Sequence, residues 1–550
     1  MTTDQAVRPA QAPAPAATHR RPARLHAERA SARLAARQIW FGALVISAAT
    51  GLMLWLGTIA YHKAQTSGSS LMAALADNPA IRAVYGLPTA IGTLGGFTVW
   101  RVEIFVMLIS TVWIVLATTR VLRGNEETGR LDLLLATPIS LARSSGVVLA
   151  VVLIAGPVLT AVVTGVVLSA LGAAAAGSWL YAAGLGLLLA TFMSIAALAA
   201  QLVPERRRAT GLAGGVLFAT IVLRIYADGS AGAGWVRWTT PYGWVENLHA
   251  FGGNDLLPLI PLAAVPILAL AAVLVMARVR DADAGMVRAA DTKRARTWLL
   301  SRPLAFATRR RLAEVAAWGV GVAVLGVLSG GLAESLVGFP QSQPEATKLL
   351  NEVGMGAAVT PGGFIAIMDV LTAVVLAAYA ITCLHADYDD EAAARLDLPY
   401  SAPVTRTRWA GSTVATTAAA LVVLTTILAL ATWAGSALAG AGLTAGDSFA
   451  GAFNVLPVAV LFLGLAMLLH GVRPSWTAGL VGALAIGSYL IALIGPALKW
   501  PNWVLDLSPY YHLKLVPAAS PAWTPLWVML GIAVLGAALG LVGYARRDLV

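Results

Sequence analysis

Long apolar runs alternate with short polar segments along the whole chain. Twelve of these runs come close to or exceed the length of about 20 residues that a helix needs to cross a bilayer. The predicted spans are roughly 39–60, 103–119, 146–171, 179–203, 210–227, 256–278, 313–332, 365–385, 410–440, 450–470, 477–496 and 523–545. Only helices and closed barrels satisfy their backbone in lipid, and these runs are too long for barrel strands. The pattern predicts an all-α integral membrane protein with about 12 transmembrane helices.

The composition supports a membrane protein. Of 550 residues, 58% are hydrophobic and only 12% are charged, against about 25% charged residues in soluble domains. The single cysteine, Cys383, cannot form an intrachain disulfide and lies in an apolar run. His and Cys are too scattered along the chain for a metal site. The sequence therefore predicts no metal and no cofactor bound by this chain.

The basic residues predict the orientation. The chain carries a net charge of +11, and with the N-terminus inside, 30 of its 38 Lys and Arg residues fall in segments on the inner side. Positive residues stay on the cytoplasmic side of a bilayer. We therefore expect a multi-pass protein of the bacterial plasma membrane with both termini in the cytoplasm, and no nucleic-acid partner.

The first 38 residues differ from the rest of the chain. Residues 1 to about 20 are rich in Ala, Pro and Gln, a composition typical of disorder. Residues 22–38 have a helical period in which Arg29, Arg33 and Arg37 share one face. This pattern predicts an amphipathic helix that lies on the cytoplasmic leaflet and leads into the first span; a solvated basic tail is the alternative.

The remainder divides into two similar halves, 39–278 and 313–550, joined by a basic cytoplasmic linker at 279–312. Landmarks recur at an offset of 265 to 268 positions. They are Gly95-Gly96-Phe97 with Gly362-Gly363-Phe364, Pro241-Tyr242 with Pro509-Tyr510, and Arg280-Asp281 with Arg547-Asp548. This spacing predicts two parallel six-helix repeats.

A charged motif recurs in the predicted cytoplasmic loop after the second span of each half. The segments 126–143 and 391–408 align without a gap at an offset of 265 positions. A charged repeat in so apolar a chain predicts a surface on which another protein docks. The candidate docking residues are Glu126, Glu127, Arg130, Asp132, Pro138, Arg143, Glu391, Arg395, Asp397, Pro403 and Arg408. The alternative is that Glu126 and Arg130, four residues apart, pair on a solvated helix.

Motifs for catalysis are missing from the sequence. No phosphate-binding loop G-x-x-x-x-G-K-[ST] occurs, and no Ser/His/Asp set is identifiable. The segment Leu328-Ser329-Gly330-Gly331-Leu332 is similar to the signature of ABC ATPases, but it lies in an apolar span. Small residues in a span are typical of close helix packing, and that is the role we expect for them.

The repeated E-x-x-x-R-L-D-L motif, with a proline eight residues after its arginine, resembles the coupling loop of ABC-2 type permeases. The first copy, the loop Thr240-Pro241-Tyr242-Gly243-Trp244 and the basic linker resemble the fused twelve-span actinobacterial branch, described as exporters of polyketide antibiotics, including tetronasin-type and multidrug exporters. The second copy departs from the pattern, with Ala392–Ala394 and Pro399 in place of Glu127–Gly129 and Leu134. Equal roles for the two copies are therefore not implied.

The resemblance implies a permease subunit without an ATPase of its own. A separately encoded ABC ATPase, in two copies, would bind ATP and Mg²⁺ and drive export of hydrophobic or amphipathic drugs or antibiotics, which implies antibiotic resistance. Spans 2, 5, 8 and 11 would line the substrate cavity. Their candidate residues are Phe105, Met107, Trp113, Phe218, Arg224, Asp369, Tyr379 and Tyr489; packing in the core or against lipid is the alternative for each.

Two other classes of protein remain as alternatives. A proton-coupled twelve-span secondary transporter would need buried ionisable residues, for which Arg101, Glu103, Asp369 and Arg224 are candidates, although its usual cytoplasmic loop motif is absent. A lipid-linked glycosyltransferase would need acidic residues in the first outer loop, but residues 62–100 contain only Asp77. The sequence favours the ATP-driven permease over both.

Overall fold

The computed structural model describes residues 20–66, 78–230, 232–281, 285–286, 298–300, 302–337, 359–392, 395–396, 404–496 and 499–547. Within these ranges, twelve helices are long and apolar enough to cross a membrane, and no strand occurs. Every predicted span coincides with one of these helices, and most of the helices extend several residues beyond the predicted ends. The prediction of an all-α, twelve-span membrane protein is confirmed.

The chain forms two compact units, Met1–Met72 with Arg82–Asp291 and Ala73–Ile81 with Thr292–Val550. We name them the first half and the second half. The spans of the first half are α1 (Arg20–Thr66), α2 (Leu94–Thr119), α3 (Leu141–Ala170), α4 (Ala175–Leu202), α5 (Arg206–Gly229) and α6 (Leu259–Val279). Those of the second half are α7 (Pro303–Leu332), α8 (Pro361–Ala392), α9 (Arg406–Ala439), α10 (Ala445–Val472), α11 (Pro474–Leu493) and α12 (Trp523–Arg546).

Helix α1 is longer than the sequence pattern indicates. It runs for 47 residues without a break, so the predicted amphipathic segment at 22–38 continues directly into the first span. That this segment lies on the cytoplasmic leaflet stays a prediction. Ala27, Ser31, Ala35 and Ile39 recur every fourth residue on one face and are buried. This small-residue face packs on the protein, where Ser31 lies within hydrogen-bond distance of Ser144 in α3.

Each half is built around its fourth helix. In the first half, α4 is mostly buried and contacts α2, α3, α5 and α6. In the second half, α10 holds the same place and contacts α8, α9 and α12. Both helices are 28 residues long. The ring of Phe192 in α4 lies 5.5 Å from that of Tyr242, and Phe462 in α10 lies 6.1 Å from Tyr510. These matching contacts support the sequence repeat.

The glycines of the Leu328–Leu332 segment pack helix on helix. A Cβ at Gly330 would lie 2.1 Å from the carbonyl oxygen of Thr432 in α9. A Cβ at Gly435, on the facing side of α9, would lie 2.2 Å from the carbonyl oxygen of Val327. Only glycine permits this backbone approach, which is the usual means of tight packing between helices in lipid. The structure confirms the packing role expected for this segment.

Candidate coupling surface and buried polar clusters

The first copy of the charged motif forms a short, broken helical segment. After α2 the chain makes a π-helical turn at Arg120–Gly124 and a short helix at Asn125–Glu127. Gly129 then adopts a left-handed conformation with φ of 66°, and a second short helix, Arg130–Leu135, follows. A residue with a side chain would be strained at this φ, so the glycine allows the sharp change of direction.

This geometry contradicts the alternative in which Glu126 pairs with Arg130. The turn at Gly129 separates the two residues onto different helices, so the four-residue spacing no longer places them on one face. Arg130 is exposed, whereas Glu126 is only 7% exposed. The two residues of the motif therefore have different environments.

Glu126 is held by two arginines inside the first half. Arg280, which follows α6, donates to both carboxylate oxygens at 3.1 and 2.7 Å. Arg123 donates to Oε2 at 2.6 Å and, through Nε, to the carbonyl oxygen of Ala200 in α4. A bidentate pair fixes geometry as well as charge. The carboxylate therefore joins the motif to the end of the last span and to the central helix.

The second half contains the equivalent pair. Glu391, at the end of α8, is 3% exposed and accepts from Arg547 at 2.7 and 2.5 Å. Arg547 follows α12 as Arg280 follows α6, and its own carbonyl oxygen accepts from Arg406 in α9 at 2.7 Å. The prediction that Glu126 and Glu391 are equivalent positions is consistent with these pairs. As placed, neither carboxylate is exposed to a docking protein.

The exposed side of the first motif carries the other predicted docking residues. Glu127, Arg130, Asp132 and Pro138 are exposed, and Leu133 is 76% exposed between them. Together they form what we name the coupling surface. An apolar side chain this exposed in a charged segment is typical of an interaction site. Glu127 also accepts from the backbone N–H of Arg206 at 2.6 Å, which joins the surface to the start of α5.

The remaining predicted docking residues are placed as follows. Arg143 is exposed and forms an ion pair with Glu28 of α1. Arg408 is exposed at the start of α9. Arg395 is exposed and lies 3.5 Å from Asp390 of α8. Asp397 and Pro403 lie outside the described residues, so the second copy of the surface is defined only in part.

A second buried charge cluster lies at the opposite end of the first half. Arg224 in α5 donates to Glu246 at 2.6 Å and lies 3.0 Å from Asp228. Arg237 lies 3.1 Å from Asp228. Arg224 also donates to the carbonyl oxygens of Ala83 and Val84 at 3.0 and 3.3 Å. Burial raises the pKa of Glu246, against the opposing effect of the Arg224 charge. This network holds the segments after α1 and after α5 against α5.

Glu103 in α2 borders the same cluster and is 6% exposed. It lines a small cavity with Trp100, with Tyr181 of α4 and with Glu246. The sequence singled out Glu103 and Arg224 as buried ionisable residues. The partners Asp228 and Glu246 were missed, because both lie next to apolar residues and match no motif.

The predicted substrate residues fall in different environments. Met107 and Tyr379 are buried in the hydrophobic cores of their own halves, and Trp113 packs against Gly156. Arg224 belongs to the charge cluster, and Asp369 is buried, with no hydrogen-bond partner for its Oδ2 within the described part of the chain. Phe105, Phe218 and Tyr489 are partly exposed. The core positions of Met107 and Tyr379 disfavour direct contact with a substrate, since neither side chain reaches a surface of its half.

Comparison with known proteins identifies the family. The model of the family described as "Multidrug efflux system permease Rv1217c, C-terminal domain" matches residues 70–278 and 300–545, which is well over half of the chain. The chain belongs to this family of permeases. It is also 28% identical over 518 residues to the multidrug efflux system permease protein Rv1217c of Mycobacterium tuberculosis (strain ATCC 25618 / H37Rv), covering 93% of this chain and 92% of that protein.

Membership of the Rv1217c family confirms the resemblance drawn from the repeated motif, that of an ABC-type multidrug permease. It is consistent with twelve apolar helices and with a multi-pass membrane protein. The matched ranges leave out residues 1–69 and residues 279–299, and the latter all belong to the predicted basic linker at 279–312. The family match thus covers the spans from α2 to α12, and with them both copies of the charged motif.

Proposed function

We propose that this chain is the transmembrane permease subunit of an ATP-driven exporter. It would move hydrophobic or amphipathic drugs or antibiotics out of the cell and so confer resistance to them. The subunit has no ATPase of its own in this proposal, and a separately encoded ABC ATPase, in two copies, binds ATP and Mg²⁺. The name of the Mycobacterium tuberculosis relative, a permease of a multidrug efflux system, supports the substrate class.

The observation that carries the ATP-driven mechanism is the coupling surface. Glu127, Arg130, Asp132 and Leu133 are exposed, while the neighbouring Glu126 is anchored to the helix ends α2, α4 and α6. A surface held in this way would transmit a movement of a soluble partner to three helices at once. The pair Glu391–Arg547 provides the same anchor in the second half, which supports one ATPase under each half.

The proposed orientation places the coupling surface and both termini in the cytoplasm. Thr137 and Gly253 are exposed positions at opposite ends of the first half. In a Cys383→Ser background, Thr137→Cys should react with an impermeant thiol reagent only after the cells are opened, and Gly253→Cys should react in intact cells. Labelling of both positions from one side would contradict the orientation.

The energy source is tested by co-expression of this chain with an ABC ATPase, to be sought in the reading frames next to its own gene. Cells that express both proteins should tolerate higher concentrations of hydrophobic antibiotics than cells that express either protein alone. A substitution in the ATPase that stops hydrolysis should abolish the resistance, while the permease remains in the membrane. The two proteins should also co-purify in detergent.

A proton-coupled secondary transporter is the second candidate, and the buried carboxylates favour it. Glu103, Asp228 and Asp369 are all at least nine-tenths buried in apolar helices, where ionisable residues are usually functional. For the same cells, a secondary transporter predicts the opposite result. Resistance would survive the inactive ATPase and collapse with a protonophore.

A further inference from the structure

A small cavity beside Glu103 borders the buried charge cluster of the first half. Its walls come from α2, α4 and the short helix Pro241–Glu246, all in the first half. An open volume of about 20 Å³ admits one group of the size of a water molecule. The lining residues that matter here are Trp100, Glu103, Tyr181 and Glu246.

One polar atom in this lining, the hydroxyl oxygen of Tyr181, has no hydrogen-bond partner among the residues that the structure describes, and its side chain is more than nine-tenths buried. Glu246, also more than nine-tenths buried, lies beside it and shares a hydrogen bond with Asp228. Oε1 of Glu246 accepts from Arg224. A buried polar atom without a partner costs free energy, and such atoms in native structures usually mark a bound water, ion or ligand. Glu103 adds further acceptor oxygens to the same small space.

The surrounding charges favour a cation. The cluster contains three carboxylates, from Glu103, Asp228 and Glu246, against the two guanidinium groups of Arg224 and Arg237. Arg101, the next basic residue on α2, stacks over the ring of Tyr85 at 4.7 Å. Between them, the two guanidinium groups pair with Asp228 and Glu246, whereas Glu103 forms no ion pair with any residue that the structure describes. A buried carboxylate is stable only when paired or protonated.

We propose that this cavity binds a primary ammonium group. Such a group is the size of a water molecule and has three N–H donors, which match the acceptors of Glu103, Tyr181 and Glu246. The aromatic rings of Trp100 and Tyr181 add attraction for a cation. Resting on the proposed export function, the inference names a substrate class: amphiphiles that carry a protonated primary amine.

The test measures binding to the purified permease in detergent, without its ATPase, so that it can fail or succeed independently of ATP-driven transport. Methylammonium chloride should raise the Tm in a saturable manner, since a ligand that binds only the folded state stabilises it. Tetramethylammonium chloride at equal ionic strength should not, because this cation has no N–H donor and is too large for the cavity. Sodium chloride should raise the Tm less than methylammonium chloride does, and an equal rise with these two salts alone would mean a general cation site and would overturn the choice of an amine. An equal rise with all three salts would mean charge screening only, and no rise with any salt would mean that the cavity holds water or a proton.

Variants of the lining separate this site from any other. Glu103→Gln should weaken methylammonium binding at least tenfold, and Tyr181→Phe, which removes only the hydroxyl, should weaken it about threefold. Glu205→Gln makes the same charge change at an exposed carboxylate near the coupling surface and should leave the Tm shift as in the wild type. If Glu103→Gln does not fold, Tyr181→Phe still tests whether methylammonium binds in this cavity. Unchanged binding in both lining variants would overturn the proposal.

Discussion

Arg547→Leu should destabilise the protein by about 3–5 kcal/mol, because it removes one partner of a buried ion pair and leaves the Glu391 carboxylate in place. Arg547 contacts both oxygens of that carboxylate, and Glu391 is 3% exposed. The loss should be measured as the change in unfolding free energy of the purified protein in detergent. Arg546→Leu is the matched control, since Arg546 is the preceding residue and is exposed; its effect should stay within about 0.5 kcal/mol.

The double variant Glu391→Leu/Arg547→Leu should recover most of this loss. When both charges are removed, no unpaired charge stays buried, and such replacements are often neutral or stabilising. A double variant as unstable as the sum of the two single variants would show that the pair is not the source of the effect. The first half should recover less in Glu126→Leu/Arg280→Leu, because Arg123 also pairs with Glu126.

The sequence predicted the two equivalent glutamates but not what they contact. Arg280 lies 154 positions from Glu126, and Arg547 lies 156 positions from Glu391, distances over which local periodicity carries no information. The signal was nevertheless present, because the Arg-Asp dipeptide recurs at the end of each half at nearly the offset of the motif. Two glutamates and two arginines that recur at nearly the same offset are candidates for equivalent ion pairs, one pair in each half.

Other parts of the structure could not be predicted for a physical reason. Lipid tails are as apolar as a protein core, so the faces of a span carry a weak sequence signal. Met107 and Tyr379 therefore matched the expectation for cavity residues although both lie in a core. The same ambiguity hid the packed face of α1, in which Ala and Ser recur every fourth residue within a segment also rich in arginine. The spans themselves were predictable, because length and overall hydropathy decide them.

The coupling surface leads to the second large expected effect. Arg130→Glu/Leu133→Asp should lower ATP hydrolysis by the permease–ATPase complex, and transport with it, by at least about tenfold, which corresponds to about 1.4 kcal/mol of lost contact. Both side chains are exposed, and Leu133 would exchange an apolar contact for a charge at the interface. The measurement is substrate-stimulated ATP hydrolysis and transport in vesicles that contain both proteins. The Tm of the permease alone should not change.

Variants of the buried ion pairs and variants of the coupling surface should differ in their effect on stability. Glu126→Leu should lower both Tm and transport, because Glu126 holds the segment in place, whereas Arg130→Glu/Leu133→Asp should lower transport alone. Arg395→Glu in the second half should act in the same direction but more weakly, since that copy of the motif keeps fewer charged residues around its arginine. Wild-type coupling in Arg130→Glu/Leu133→Asp would mean that these exposed residues are a solvated face. The partner would then have to dock elsewhere on the cytoplasmic side, and the repeated motif would be explained by its buried glutamates alone.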